Sequence, residues 1–134
     1  MKGRKRHLAV DTLGLVWAAA VHSAGVQDRD GARLVLAKLA GRLPRLAGVL
    51  ADAGYNGPIA GWVRDVLHAP LTLVHKVPGQ RGFQVLPRRW VVERTFGWLG
   101  RCRRLSKDYE QNPASSEAYL HLAMTRLMAR RLAA

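Results

Sequence analysis

Only one cysteine, Cys102, occurs in the 134 residues, and only nine acidic residues stand against twenty-two lysines and arginines. A single thiol excludes an internal disulfide and suits a reducing compartment, where it reads as a small apolar core residue. Long hydrophobic runs are absent too. The longest candidate, "GLVWAAAVHSAG", falls well short of the roughly 18 residues a membrane span needs, so no membrane partner is expected. The start, "MKGRKRH", is basic, but its apolar run ends at Asp11 with no small-residue cleavage pattern, and no signal peptide is read there. The five histidines, His7, His22, His68, His75 and His121, lack paired ligand spacing, which argues against zinc. Neither a Ser/His/Asp order nor a phosphate-cradling GxxxxGK[ST] loop occurs.

What is present is positive charge. A formal net charge of +13 and an isoelectric point near 11.4 point to a polyanion. Phosphate backbones are the usual partner, because each neutralised phosphate releases condensed counterions. An anionic membrane surface would want a basic amphipathic helix with a Trp/Phe/Leu face, which the terminal helix meets only weakly. Hydrophobic content of 49% argues against disorder, and the length suits one domain spanning 1–134.

The pattern along the chain predicts β-β-α-β-α-β-loop-α-α. "RHLAVDTLGLVWAAAVHSA" reads as two strands joined by a type I turn, with Asp11 first and Gly14 last. The near-continuous apolar limb from Leu15 to Val21 fits a strand covered on both faces. A helix capped from Asp28 or Asp30 is closed by Gly41 and Pro44. "LAGVLAD" is a short buried strand ending in Asp52, "GYNGPIAGWVRDVLH" a turn and helix, and "PLTLVHKV" a further strand. A basic loop, "PGQRGFQVLP", leads to a helix over "RRWVVERTFGWLGRCRRLSK" and a last helix with Asn112 as cap and Pro113 at its first position. Strands alternating with helices after an opening hairpin imply an α/β fold, a mixed sheet with helices packed on it.

Within the quoted helix one carboxylate, Glu93, stands among six arginines. At 100° per residue Val91, Thr95, Trp98, Cys102 and Leu105 form an apolar stripe, and Glu93 falls opposite it. Its face carries Gly97, Gly100 and Arg104, with Arg89, Arg94, Arg101 and Arg103 to the sides. Each glycine costs the helix about 1 kcal/mol against alanine, and the missing side chains let a bulky backbone approach the carboxylate. Taken alone, Glu93 reads better as a solvated residue balancing arginine charge at helical spacing. In "ADAGYNG" Asp52 sits where a strand meets a Gly-rich loop, the usual place for site residues in open α/β sheets, although an isolated D-x-G is also a plain turn cap. Two carboxylates on separate elements beside a basic surface suit Mg²⁺, which takes one or two protein carboxylates plus waters and phosphate oxygens.

"ADAGYNG" followed by "RRWVVERTFGWLGRCRRLSKDYE", with the earlier "KGRKRHLAVDTLGL" and "VQDRDGA", resembles bacterial insertion-sequence transposases of the DDE class, the insertion-sequence-five group in particular. The resemblance runs in order over nearly the whole chain. It implies a ribonuclease-H-like catalytic domain and DNA strand cleavage and transfer dependent on Mg²⁺ or Mn²⁺, with two ions in the complete enzyme. Asp52 corresponds to the second acidic metal ligand and Glu93 to the third. Arg89, in the spacing R-x-x-x-E, matches the group's phosphate-holding arginine. Leu86 and Gly100 stand where the wider signature has a tyrosine and a lysine, with Arg101 beside the second.

The family's first aspartate lies on a strand upstream of "KGRKRH". Asp11 reads better as a turn residue than as its substitute. The expectation is therefore a C-terminal part of the catalytic domain with its first strand missing, a split-gene product or remnant not active alone. Its partners would be transposon-end and target DNA, and an upstream transposase part or a second copy. Arg89, Arg94, Arg101, Arg103, Arg104, Lys5 and Arg6 are the expected DNA contacts, and the expected location is the cytoplasm, with the nucleoid. Two alternatives fit the charge: a non-enzymatic basic DNA-binding protein that modulates transposition, and a small RNA binder, which does not need the Asp52/Glu93 pair.

Overall fold

The computed structural model describes residues 3–74, 89–107 and 109–133, with Arg89 and Trp90 in backbone only. The basic loop expected between the fourth strand and the following helix lies outside the described residues, as does His75.

β1 (Arg4–Val10) and β2 (Val16–Ser23) form an antiparallel hairpin. Its turn is built by Asp11. Asp11 Oδ1 accepts from the Leu13 and Leu15 amides at 2.9 and 3.0 Å, the Gly14 amide donates to Asp11 O at 3.0 Å, and the Trp17 indole donates to Oδ2 at 3.2 Å. Asp11 is thus fully engaged as a turn residue, as its neighbours in sequence imply. Ala9 faces Ala18 while Val10 faces Val16, so Trp17 is bulged out of the ladder. The bulge reverses the alternation and brings Val16 onto the same face as Ala19 and Val21.

β2 is covered on both sides, as its continuous apolar run predicts. Ala18 and Ala20 pack with Val35, Leu36 and Leu39 of the α1 region and with Ile59 and Val63 of α2. Val16, Ala19 and Val21 pack with Leu99, Leu105, Leu120 and Met124. Here α1 is Asp28–Ala37, α2 is Ile59–Leu67, α3 is Arg89–Gly100 and α4 is Pro113–Ala133. Burying both faces of one strand under helices is what makes the molecule layered.

β3 (Val49–Asp52) and β4 (Leu71–Val74) pair in parallel, with Asp52 opposite Val74. Among the described residues the strands make two separate two-stranded sheets, β1–β2 and β3–β4, rather than one continuous mixed sheet. Helices tie them together: α3 packs on both β1 and β3, and α1 on β1, β2 and the turn after β3.

Three boundaries differ from the sequence-based expectation. Gln27, not Asp28, is the residue before α1, and Asp28 enters the first turn and pairs with Lys5. α1 ends at Ala37 and unwinds through successive tight turns to Gly41, whose φ of 73° is left-handed. α3 stops at Gly100 instead of continuing to Lys107, and a 3₁₀ turn, Arg103–Leu105, returns Leu105 to the core. At α4 the Asn112 side chain accepts from the Ala114 amide at 2.9 Å, the expected cap.

Candidate functional site

Asp52 is the last residue of β3 and caps the 3₁₀ turn Ala53–Tyr55 that follows. Its Oδ1 accepts from the Gly54 amide at 2.8 Å, which holds an exposed carboxylate at the strand end. Tyr55, at the end of that turn, reaches back to β1, its hydroxyl 3.0 Å from His7 Nδ1. Burial, with Asp28 and Asp52 adding negative charge nearby, pushes the Tyr55 hydroxyl up to about 12, so it stays protonated. The turn bearing Asp52 is therefore anchored on β1 as well as on β4.

Glu93 projects from the exposed face of α3. The opposite face is buried through Val91, Thr95 and Leu99. Trp98, expected in the apolar stripe, is only half-buried, and Leu99 takes the interior position. Two hydrogen bonds set the helix against the hairpin turn. Thr95, fully buried, donates its hydroxyl to Gly14 O at 2.6 Å, and Arg94 Nη2 donates to Leu13 O at 3.0 Å. Gly14 adopts φ 83° and lies so close that an added Cβ would meet Thr95 Oγ1 at 2.9 Å. That close approach requires glycine. Among the described residues nothing lies within 4 Å of where a Cβ would stand at Gly97 or Gly100, so no packing between them explains the glycines beside Glu93.

α3 runs beside β3 with Cα atoms of the two within 8 Å, so the fold makes neighbours of the elements that carry Asp52 and Glu93. Both acids are exposed. Among the described residues no group of three or more His, Cys, Asp or Glu side chains could hold a metal. Carboxylate is the donor type that a hard cation such as Mg²⁺ takes, one or two from protein with water and phosphate oxygens completing the shell.

The basic residues divide into two sets. Several are engaged inside the protein. Lys5 Nζ contacts Asp28 Oδ1 at 2.9 Å and Val26 O at 3.2 Å. Arg6 donates to Leu105 O at 2.8 Å and Lys107 O at 3.4 Å, and Arg4 donates to the carbonyls of Glu110 and Gln111. These strand cations clamp the connector that leads into α4. Arg94 is half-buried, with its guanidinium 4.6 Å from the Trp98 ring centroid. Arg104 pairs with Glu110 at 2.6 Å and stacks near Tyr119, and the paired carboxylate raises its pKa further. Arg101 and Arg103 belong to the second set, exposed at the end of α3. The Arg89 side chain lies outside the described residues.

Arg126 and Arg130 do not emerge from the sequence as site residues. They lie one turn apart on α4 and share a groove with Arg101 and Arg103. The i, i+4 spacing is visible in the sequence, but which face of α4 meets α3 is not. No helix among the described residues is long and apolar enough to cross a membrane.

A family model described as "Transposase DDE domain" matches residues 1–128. No curated protein matches the chain, and no solved structure does.

Proposed function

The chain belongs to the transposase DDE domain family, and on that footing we propose that it contributes two metal-holding carboxylates, Asp52 and Glu93, to a centre that cuts and joins DNA strands. The observation that carries the proposal is the packing of α3 beside β3, which makes neighbours of the elements bearing two exposed acids 41 positions apart in the chain. Such families act in DNA transposition, and transposase domains in general bind DNA.

Asp52 and Glu93 would hold Mg²⁺ or Mn²⁺; in complete enzymes of this kind a metal pair supplies activation of the attacking oxygen and charge compensation at the leaving one. The chain's own residues do the positioning. The Gly54 amide orients the Asp52 carboxylate, and the Thr95–Gly14 contact fixes the rotation of α3 and with it the direction of Glu93. The open Gly97 and Gly100 positions let a phosphodiester approach Glu93 closely. By the family pattern Arg89 holds a phosphate oxygen and offsets the charge that develops as the strand is cut, while Arg101 and Arg103 extend the basic surface at the end of α3. Arg104, Arg94, Lys5 and Arg6 add positive potential from behind their protein partners.

The two strand pairs are compatible with a ribonuclease-H-like fold. On that reading the antiparallel β1–β2 and parallel β3–β4 pairs, both contacted by α1 or α3, would be the two flanks of one mixed sheet. A strand between them, bearing the first carboxylate of the insertion-sequence-five pattern, completes the ligand set. We propose that this strand lies outside residues 1–134 and that these residues alone do not cut.

Plasmid nicking with Mg²⁺ or Mn²⁺ tests this. The chain alone should leave plasmid intact. Addition of a polypeptide carrying the aspartate-bearing strand should give nicking that Asp52→Asn or Glu93→Gln removes. Nicking that survives either substitution disproves the assignment. Mn²⁺ binding followed by electron paramagnetic resonance gives an independent readout, and should weaken in both variants.

A second reading, a non-enzymatic DNA-binding protein that modulates transposition, is favoured by the lack of a three-acid cluster among the described residues. It requires DNA affinity indifferent to Mg²⁺ and to Asp52→Asn. Affinity that Mg²⁺ raises, and that Asp52→Asn returns to the metal-free level, decides for the first.

A further inference from the structure

α3 and α4 diverge around a groove of about 320 Å³ whose walls carry Arg101 and Arg103 on one side and Arg126 and Arg130 on the other. All four are exposed, and among the described residues no aspartate or glutamate lines the groove. Just beside it Arg131 joins Arg94 at the Trp98 ring, each guanidinium 4.6 Å from the centroid. Like charges one helical turn apart, as at Arg126 and Arg130, disfavour the helix by a few tenths of a kcal/mol, roughly. Arg101 and Arg103 on the facing wall add two more cations to the same groove, a concentration of positive charge that suits an anionic partner.

We propose that this groove is a backbone-binding track for DNA, separate from the Asp52/Glu93 centre, with Arg101, Arg103, Arg126 and Arg130 contacting successive phosphates. The proposal rests on the chain handling DNA but not on either carboxylate. Guanidinium is the group for it, since its planar fork matches two phosphate oxygens at once. One isolated phosphate cannot neutralise four cations on two walls, whereas a strand that presents a phosphate at every nucleotide can. At the groove floor Leu99 is buried and Leu127 packs on the same core cluster, so these leucines are engaged with the core rather than presented to lipid. Because Arg101 follows directly on α3, which carries Glu93, a strand lying in the track is led towards the carboxylate centre.

The test is fluorescence anisotropy of a labelled DNA duplex with the full chain over a range of salt, without divalent metal. Arg126→Ala/Arg130→Ala should weaken binding on the order of tenfold and make the log K against log salt slope shallower by about 2, one unit for each phosphate no longer neutralised. Arg101→Gln/Arg103→Gln, on the other wall, should do the same. Circular dichroism confirms folding, and the exposed glutamine pair Arg126→Gln/Arg130→Gln stands in if the alanine pair does not fold. A folded variant pair with unchanged affinity and slope overturns the proposal. So does loss of binding to phosphatidylserine vesicles with DNA binding intact. Arginine dependence without Mg²⁺-dependent nicking therefore retires the catalytic reading alone, and nicking without arginine dependence retires the groove alone.

Discussion

The imidazoles of His7 on β1 and His22 on β2 lie stacked, their centroids 4.7 Å apart and their planes 18° from parallel, with both Nε2 atoms turned to Gly31 of α1. A Cβ at Gly31 would collide with both nitrogens. Each ring is anchored by Nδ1, His7 near the Tyr55 hydroxyl and His22 at Ser23 O, and each Nε2 is buried without a hydrogen-bond partner among the described residues.

Stability should consequently fall in mild acid. Burial, then the neighbouring His22, then Lys5, holds the His7 pKa below its ordinary 6.5, against the opposing pull of Asp28. The unfolded chain takes up this proton more readily than the folded one. The stabilisation is therefore whole above pH 6.5 and is lost as pH drops through the lowered folded value. Urea midpoints at pH 7.5 and 5.5 should differ in that direction, and His7→Phe should flatten the difference.

Two glycine substitutions on helices should act oppositely. Gly31→Ala forces a methyl into the histidine pair and should cost about 1–3 kcal/mol, more than the helix propensity it gains. Gly97→Ala meets open space and should stabilise by up to about 1 kcal/mol. If the bare surface at Gly97 serves close approach of DNA to Glu93, the same variant should lose strand cutting in the complemented nicking assay while its melting temperature rises.

Thr95→Val should destabilise by about 1–3 kcal/mol, because it keeps the shape but strips the buried Gly14 carbonyl of its donor. Chemical denaturation gives the magnitude. Crosslinking between Leu13 and α3 should also become less uniform, since the surviving tie is Arg94 to Leu13 O.

Glu117 closes the outer edge of β2. Its Oε1 accepts from the Val21 amide at 2.9 Å, and Oε2 pairs with Lys38, whose Nζ also donates to Ala19 O. Burial would raise its pKa, but the Val21 amide and Lys38 outweigh that and lower it. This contribution is present above the unfolded value near 4.5 and vanishes as pH falls through the lowered folded one. Glu117→Ala should cost about 1–2 kcal/mol at neutral pH, moderated because the pair is partly exposed, and the edge amides near Val21 should exchange faster.

Much of the local architecture can be read from residues close in the chain. Asp11 builds the hairpin turn, Asn112 caps α4, and the unbroken apolar limb of β2 is covered on both faces. Each depends on interactions spanning a few residues or on a simple hydrophobic pattern. The end of α3 is not legible in the same way, because the apolar stripe continues to Leu105. Periodicity alone cannot distinguish one helix from a helix broken at Gly100 and a 3₁₀ turn that restores the face. The strand cations are likewise opaque. Nothing near Arg4 or Arg6 in sequence reveals that carbonyls about a hundred positions away receive them.

The sequence by itself determined the order of the elements, the strong positive charge and the placement of one acid at a strand end and another opposite a helix's apolar stripe. Such properties follow from side-chain period and turn chemistry, which act over a few residues. Tertiary structure alone decided that α3 lies against β3, that the strands separate into two pairs among the described residues, and that Arg126 and Arg130 face Arg101 and Arg103. These depend on which apolar faces meet, and burial between distant segments has no local signature in the chain.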